Sequence, residues 1–299
     1  MIVVTEALKR IFRPLQKFLR FVLQGTLQII EDVNLQIAIE RECDRLKEGI
    51  RARDGKSLAL CGHKIYSQND EDGIIAEIFD RIGVRSRLFC EIGAADGLEN
   101  NTHALLLKDW RGVWVEGSKQ KTDFIAGHFP LRGRKLVVAN DVVDRDNVDD
   151  VLRDAFRALG ETAFPLEVDF LSIDIDGNDL YVLERLASLD ARVICVEYNA
   201  KYPPPMRIAI AYDDRHQWRD DDYQGASLQC FVELLKDRGY ALVCCGLAGV
   251  NAFFVKADQI RDIELRPVAQ LYQPARYHLR RRRAGHPPSL KHLANVIRG

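Results

Sequence analysis

The sequence predicts an α/β protein built on a seven-stranded, mostly parallel sheet with an antiparallel C-terminal hairpin, preceded by an N-terminal helical extension. Three observations predict it. Short apolar runs recur at 88–93, 112–117, 135–141, 168–176, 192–199, 240–246 and 251–258. Amphipathic helical segments separate the first five runs, and another at about 226–238 precedes the sixth. The last two runs are joined only by a short Gly-Leu-Ala-Gly-Val link. Near-continuous apolar strands alternating with helices make a parallel sheet covered on both faces. A link too short for a helical crossover makes the last pair antiparallel.

Composition bounds the rest. With 299 residues, 47% hydrophobic and 29% charged, the chain suits one large domain with appendages. A net charge of -1 argues against wholesale nucleic-acid binding. Seven cysteines form no C-x-x-C pair and no Cys/His zinc spacing, which fits a reducing compartment. Cys90 and Cys195 fall inside apolar runs and read as buried thiols. The N-terminus lacks a long apolar region and a small-residue cleavage site. No window approaches the ~18–20 apolar residues of a spanning helix. A soluble or peripheral protein is expected.

Three zones follow. Residues 1–56 form a helical extension: Leu8, Ile11, Phe12, Leu15, Phe18, Leu19 and Val22 line one face, and Lys9, Arg10, Arg13, Lys17 and Arg20 the other. Pro14 marks a kink or break, and a second helix is expected from about Thr26 to Arg51. The basic face suits either packing, including homo-oligomerisation through these helices, or an anionic membrane surface. Residues 57–258 hold the strands. Residues 259–299 read as a solvated basic tail, with Arg276, Arg280 to Arg283, Lys291 and Arg298 and no acid after Glu264. Contact of this tail with anionic lipid or a phosphorylated substrate is the sharper alternative.

The stretch LFCEIGAADGLENNT (88–102) runs from apolar strand through glycine turn to helix start, the form of a nucleotide-binding loop. The G-x-G-x-x-G fingerprint fails, because Ala95 and Leu98 occupy the needed offsets. No G-x-x-x-x-G-K-[ST] occurs either. The remaining pattern, E-x-G-x-x-x-G, suits S-adenosylmethionine, which carries no phosphates and needs close backbone approach. Glu91 is placed to hold the methionyl ammonium, and Glu116, ending the next strand, suits a ribose diol. Asp141, closing the third strand, is placed for the adenine amino group. Three acids at three successive strand ends mark one crevice at the carboxyl edge of the sheet.

YSQNDEDGIIAEIF (66–79), FCEIGAADGLENNT (89–102), GVWVEGS (112–118) and DFLSIDIDGNDLYVLERL (169–186) resemble FkbM-like S-adenosylmethionine-dependent methyltransferases. VEYNAKYPPP (196–205) and the GASLQCF, GYALVCC and NAFFV segments resemble a bacterial branch of that group. The resemblance covers about residues 60–256 and implies the Rossmann-like sheet of class I methyltransferases. It implies that Gln68, Glu91, Gly93, Gly97, Asn101, Glu116 and Asp141 line the cofactor cleft. It also implies a glycan or glycosylated metabolite as acceptor, and cytoplasmic residence, where lipid-linked glycans are built.

Methyl transfer needs in-line approach and, for a hydroxyl acceptor, benefits from a base. LSIDIDGND (171–179) supplies Asp174 and Asp176, and strand five ends in Glu197 and Asn199. Asp176 is expected as base. Asp174, Glu197 and Asn199 are expected as ligands of substrate or Mg²⁺, a hard cation that prefers oxygen. His103 is an alternative base. In the long charged insertion after strand five, Trp218 and Tyr223 are expected to stack on a sugar face. Two other classes stay open: a glycosyltransferase using Asp174-x-Asp176 for a sugar nucleotide, and a non-catalytic scaffold recruiting a membrane or partner.

Overall fold

The computed structural model describes residues 2–128, 135–281 and 285–298, with side chains described except at 2–16, 18–26, 28, 281 and 295–298. The chain forms two compact units, residues 1–45 and 46–299. The first lies within one helix, α1 (Ile2–Arg51), 50 residues long. One helix replaces the two expected. Pro14 removes a single backbone donor, and the turns on either side continue without it. Among its described side chains, Leu27, Ile29, Ile30 and Val33 are exposed. The apolar and basic faces read at 8–22 lie outside the described side chains, apart from exposed Lys17.

The second unit carries the sheet. Its strands are β1 (Leu88–Ile92), β2 (Arg111–Val115), β3 (Leu136–Ala139), β4 (Leu166–Ile173), β5 (Leu189–Glu197), β6 (Tyr240–Cys245) and β7 (Asn251–Lys256). Their order is β3-β2-β1-β4-β5-β7-β6. The first five pair in parallel, while β7 lies antiparallel to both β5 and β6. Each strand of the expected set is present, within a few residues of its expected bounds. This is a Rossmann-like, mostly parallel seven-stranded sheet with an antiparallel C-terminal pair.

Alternation along the strands builds both layers. Leu88, Cys90 and Ile92 pack into a cluster with Leu152 and Phe156 of α5 (Val148–Leu159), Val182 of α6 (Asp179–Arg185) and Phe231 of α7 (Leu228–Asp237). Phe89 and Glu91 take the other face, where Phe79 of α2 (Glu71–Ile82) meets Phe170 edge-on at 6.4 Å between ring centroids. Burying each such ring contributes about 1.5–3 kcal/mol. Two shorter helices, α3 (His103–Leu107) and α4 (Lys119–Ala126), follow β1 and β2.

Toward the start of β4, a charge pair sits inside this hydrophobic framework. Arg192 and Asp169 are buried and joined at 2.5 Å. Asp169 also accepts from the backbone of Arg85 and Arg87, and Arg192 donates to the Gly83 and Ile82 carbonyls. Every formal charge there is met by several hydrogen bonds, as burial demands.

Residues 259–281 and 285–298 fold rather than trailing in solvent. They contain α8 (Val268–Leu271), a 3-10 turn (Tyr277–Arg281) and α9 (Lys291–Arg298). Leu279, Leu290 and Leu293 are buried. The segment's basic composition is real, but these leucines, with Ile263 and Leu271, anchor it. Arg282 and Arg283 lie outside the described residues, as do the side chains of Arg281 and Arg298.

Candidate functional site

The strand order reverses between β1 and β4, the switch point where open α/β sheets bind ligands. A cavity of about 500 Å³ opens there, within the range of small-molecule sites. The loop after β1 forms one wall. It is pinned by Gly93 and Ala94, whose N–H groups donate to the Val115 carbonyl at 2.9 and 3.1 Å. Gly93 has φ +90°, and a β-carbon on it would stand 1.7 Å from the Asp174 carbonyl oxygen. Glycine is therefore required by the neighbouring strand as well as by any ligand. Gly97 (φ +79°) lies outside the cavity lining and packs against Trp114 and Leu290.

Of the residues expected in the cleft, Gln68, Glu91, Gly93 and Asn101 line the cavity together with Asp174. Glu91 is buried and accepts from the N–H groups of Asn101 (2.9 Å) and Thr102 (3.1 Å) and from the Thr102 hydroxyl. It fastens the loop while still reaching the cavity wall. Burial raises its pKa, and those hydrogen bonds oppose the rise. Asn101 in turn donates to Ser172 Oγ at 3.0 Å.

Glu116 and Asp141 lie outside the lining. Glu116 accepts from Ala95 N–H and Ser118 N–H, both at 2.8 Å. It braces the loop from behind, with Lys121 at 3.9 Å. Asp141 is exposed, two residues past the end of β3.

Beyond β4 and β5, Asp174, Asp176 and Glu197 bring carboxylate oxygens within 4.8 Å of one another. Asp179 shapes the turn by accepting from Ile175 N–H (2.8 Å) and Gly177 N–H (2.9 Å). That holds Asp176 exposed at φ +56°. Burial, then the Asp179 and Asp176 charges, push Asp174 up to about 8. Burial and then Asp174 push its hydrogen-bond partner Glu197 well above the carboxylate range. The pair keeps a proton at neutral pH.

Asn199 is committed elsewhere. Its Nδ2 donates to the Asp222 and Gln224 carbonyls, both at 3.0 Å, and its Oδ1 accepts from Lys201 N–H. It anchors the insertion loop rather than joining the acids. Trp218 and Tyr223 are exposed on that loop. Trp218 donates to the Asp221 carbonyl (2.7 Å), and the Tyr223 hydroxyl accepts from Ala211 N–H (3.1 Å).

His103 is fully buried, stacked on Tyr66 at 3.6 Å between centroids, with Nδ1 against the Gly97 carbonyl at 2.8 Å. Burial pushes it down to about 4. It is a neutral ring that packs the loop, and it does not line the cavity.

Three residues near the site escape sequence reasoning. His216, in the insertion loop, packs its ring on Gly177, where a β-carbon would lie 2.3 Å from Cδ2. Its signal was a single histidine among acids in DDRHQWRDDD. Asn251, opening β7, lines the cavity and donates Nδ2 to Glu71 at 2.9 Å. Arg280, in the C-terminal turn, also reaches the cavity. Among the described residues, no helix is long and apolar enough to cross a membrane.

No protein-family model matches the sequence, and no curated protein does either. Solved structures similar to this chain include CalS10, an amino pentose methyltransferase from Micromonospora echinaspora bound to S-adenosylmethionine. It is 11% identical, covering 64% of this chain and 92% of that one, with a TM-score of 0.39. The O-methyltransferase from Bacillus cereus is 14% identical over 73% and 89%, with a TM-score of 0.37. An S-adenosylmethionine-dependent methyltransferase from Clostridium acetobutylicum is 11% identical over 64% and 92%, with a TM-score of 0.38. At such values the likeness adds nothing to what the strand order already shows.

Proposed function

We propose that this chain is an S-adenosylmethionine-dependent methyltransferase acting on a hydroxyl of a glycan or glycosylated metabolite, in the manner of the FkbM-like enzymes its sequence resembles. One observation carries the reading. An E-x-G-x-x-x-G loop, lacking either phosphate-binding glycine pattern, folds against a cavity of about 500 Å³ at the switch point.

The chemistry then runs across Asp174. Glu91, Asn101 and Asp174 would hold S-adenosylmethionine in the cavity they line, and the acceptor would approach from the side of Asp176 and His216. The acceptor oxygen attacks the sulfonium methyl in line. Its new C–O bond forms as the C–S bond breaks, leaving S-adenosylhomocysteine, and Asp176 takes the hydroxyl proton. The oxygen donors of Asp174, Asp176 and Glu197 fit a hard divalent cation, and Mg²⁺ held there would supply Lewis acidity. Trp218 and Tyr223 support a sugar acceptor by their exposed rings. The reading puts the protein in the cytoplasm, with the basic sequence pattern of residues 9–20 meeting an anionic membrane surface.

The acceptor class is tested by incubating the protein with methyl-tritiated S-adenosylmethionine and a carbohydrate-rich cell extract. Acid hydrolysis should release the label as O-methyl sugars. Label confined to N-methyl groups or to polypeptide would refute the acceptor.

A further inference from the structure

The C-terminal segment is tied back by polar contacts onto the residues just after β5 and the link between β6 and β7. The Tyr198 hydroxyl donates to the Gln273 carbonyl at 2.6 Å, and Tyr272 does the same to Ala200 at 2.6 Å. Arg276 donates its N–H to the Ala248 carbonyl (2.8 Å) and Nη1 to the Leu247 carbonyl (2.9 Å). Leu279 is buried beside them in sequence. These contacts fix the turn that carries Arg280 to the cavity wall.

Arg280 Nη2 and Nε face the Gln68 amide oxygen, in the orientation that satisfies both groups, at 2.6 and 3.0 Å. Gln68 stands on a fixed loop. Asp72 Oδ2 accepts from the N–H groups of Ile65, Tyr66 and Ser67, and Lys64 Nζ donates to the Gln68 carbonyl. Among the described residues, no carboxylate lies within ion-pair distance of Arg280. Its partner is neutral, and the planar fork retains N–H donors for a ligand.

Acids outnumber cations on the rest of the wall. Asp96 and Glu99 line it with Glu91 and Asp174, and Asn251 adds an amide whose Oδ1 is buried without a partner. Lys121, the other cation on the wall, sits near Glu116. Acids beside a single forked cation suit a zwitterion. A diphosphate would meet repulsion from the acids, whereas an amino acid offers an ammonium to them and a carboxylate to the fork.

We propose that Arg280 recognises the α-carboxylate of an amino-acid-bearing ligand in this cavity; resting on the reading above, that is the methionyl carboxylate of S-adenosylmethionine. The C-terminal segment is then part of the cofactor site rather than an appendage to it.

The test compares S-adenosylhomocysteine with 5′-methylthioadenosine, which keeps the nucleoside thioether and lacks the amino acid. Both are titrated calorimetrically into the full chain and into Arg280→Ala and Arg280→Lys, each checked for native circular dichroism. Arg280→Ala should weaken S-adenosylhomocysteine about 10- to 100-fold, the worth of a charged hydrogen bond. It should leave 5′-methylthioadenosine unchanged, and Arg280→Lys should recover part of the loss. Equal loss for both ligands, or no loss for either, overturns the role of Arg280 while leaving the methyltransferase reading standing. If the wild type binds neither ligand, the methyltransferase reading itself falls. Arg280-dependent binding of a UDP-sugar would make the residue a phosphate contact and overturn both.

Discussion

Gly93 and Asp174 meet backbone to backbone: a β-carbon on Gly93 would stand 1.7 Å from the Asp174 carbonyl oxygen. The loop after β1 and the exit of β4 are therefore one unit, and the wall of the cavity depends on the absence of a side chain at residue 93. Gly93→Ala is expected to cost at least about 2 kcal/mol and to abolish cofactor binding, since φ +90° adds strain to the clash. Gly160→Ala is the control. It shares a positive φ (+103°) but meets nothing within 4 Å, so it should cost only about 1 kcal/mol. Urea midpoints of the two variants decide the point, and equal costs would show that strain alone accounts for Gly93.

The Asp169–Arg192 pair yields a stability prediction remote from the cavity lining. Asp169→Ala leaves a buried guanidinium without its counter-charge, which costs about 3–5 kcal/mol. Chemical denaturation measures it. A loss below about 1 kcal/mol would mean that the backbone carbonyls around Arg192 suffice.

Asp70 predicts a pH dependence. It is buried at the start of α2. Burial, then the neighbouring Glu71 carboxylate, push it up to about 7. The folded chain thus holds its proton more tightly than the unfolded chain, where an aspartate titrates near ~4. The associated stability is complete below about pH 4 and is lost as pH rises through 7. Asp70→Asn should flatten the melting temperature between pH 5 and pH 8. An unchanged slope in the variant would assign the dependence to other groups.

Asp176 and Asp174 separate chemistry from binding. Asp176→Asn should lower methyl transfer at least about 100-fold while affinity for S-adenosylhomocysteine persists, because the residue is exposed beyond the cavity lining. Asp174→Asn should weaken both. Loss of ligand binding in Asp176→Asn would make that aspartate a support of the turn.

Much of this architecture is written locally in the sequence. Each parallel strand is an apolar run, β1 carries Glu91 near its end, and β2 and β3 lead into Glu116 and Asp141, so strand, turn and acid are read together. Distant partners are less legible. Glu91 reads as a ligand-facing acid, yet its oxygens also tie down Asn101 and Thr102, ten and eleven residues on. His103 sits at a helix start like an exposed base, and only the fold shows Tyr66 stacked over it. The C-terminal segment reads as a basic tail because Ile263, Leu271, Leu279 and Leu290 are too scattered to form a periodic face before α9. Arg280 reaches the cavity on a turn that Arg276 fixes through the Leu247 and Ala248 carbonyls, which sequence spacing alone does not encode.

The central claim is that the switch-point cavity takes a sulfonium nucleoside. Calorimetric titration of the purified chain with S-adenosylhomocysteine, with and without Mg²⁺, tests it most directly. The account predicts saturable one-site binding in the micromolar range that Gly93→Ala removes and that UDP-sugars do not compete for. Absence of binding in both conditions, with a UDP-sugar taken up instead, would contradict it and assign the cavity to a glycosyl donor.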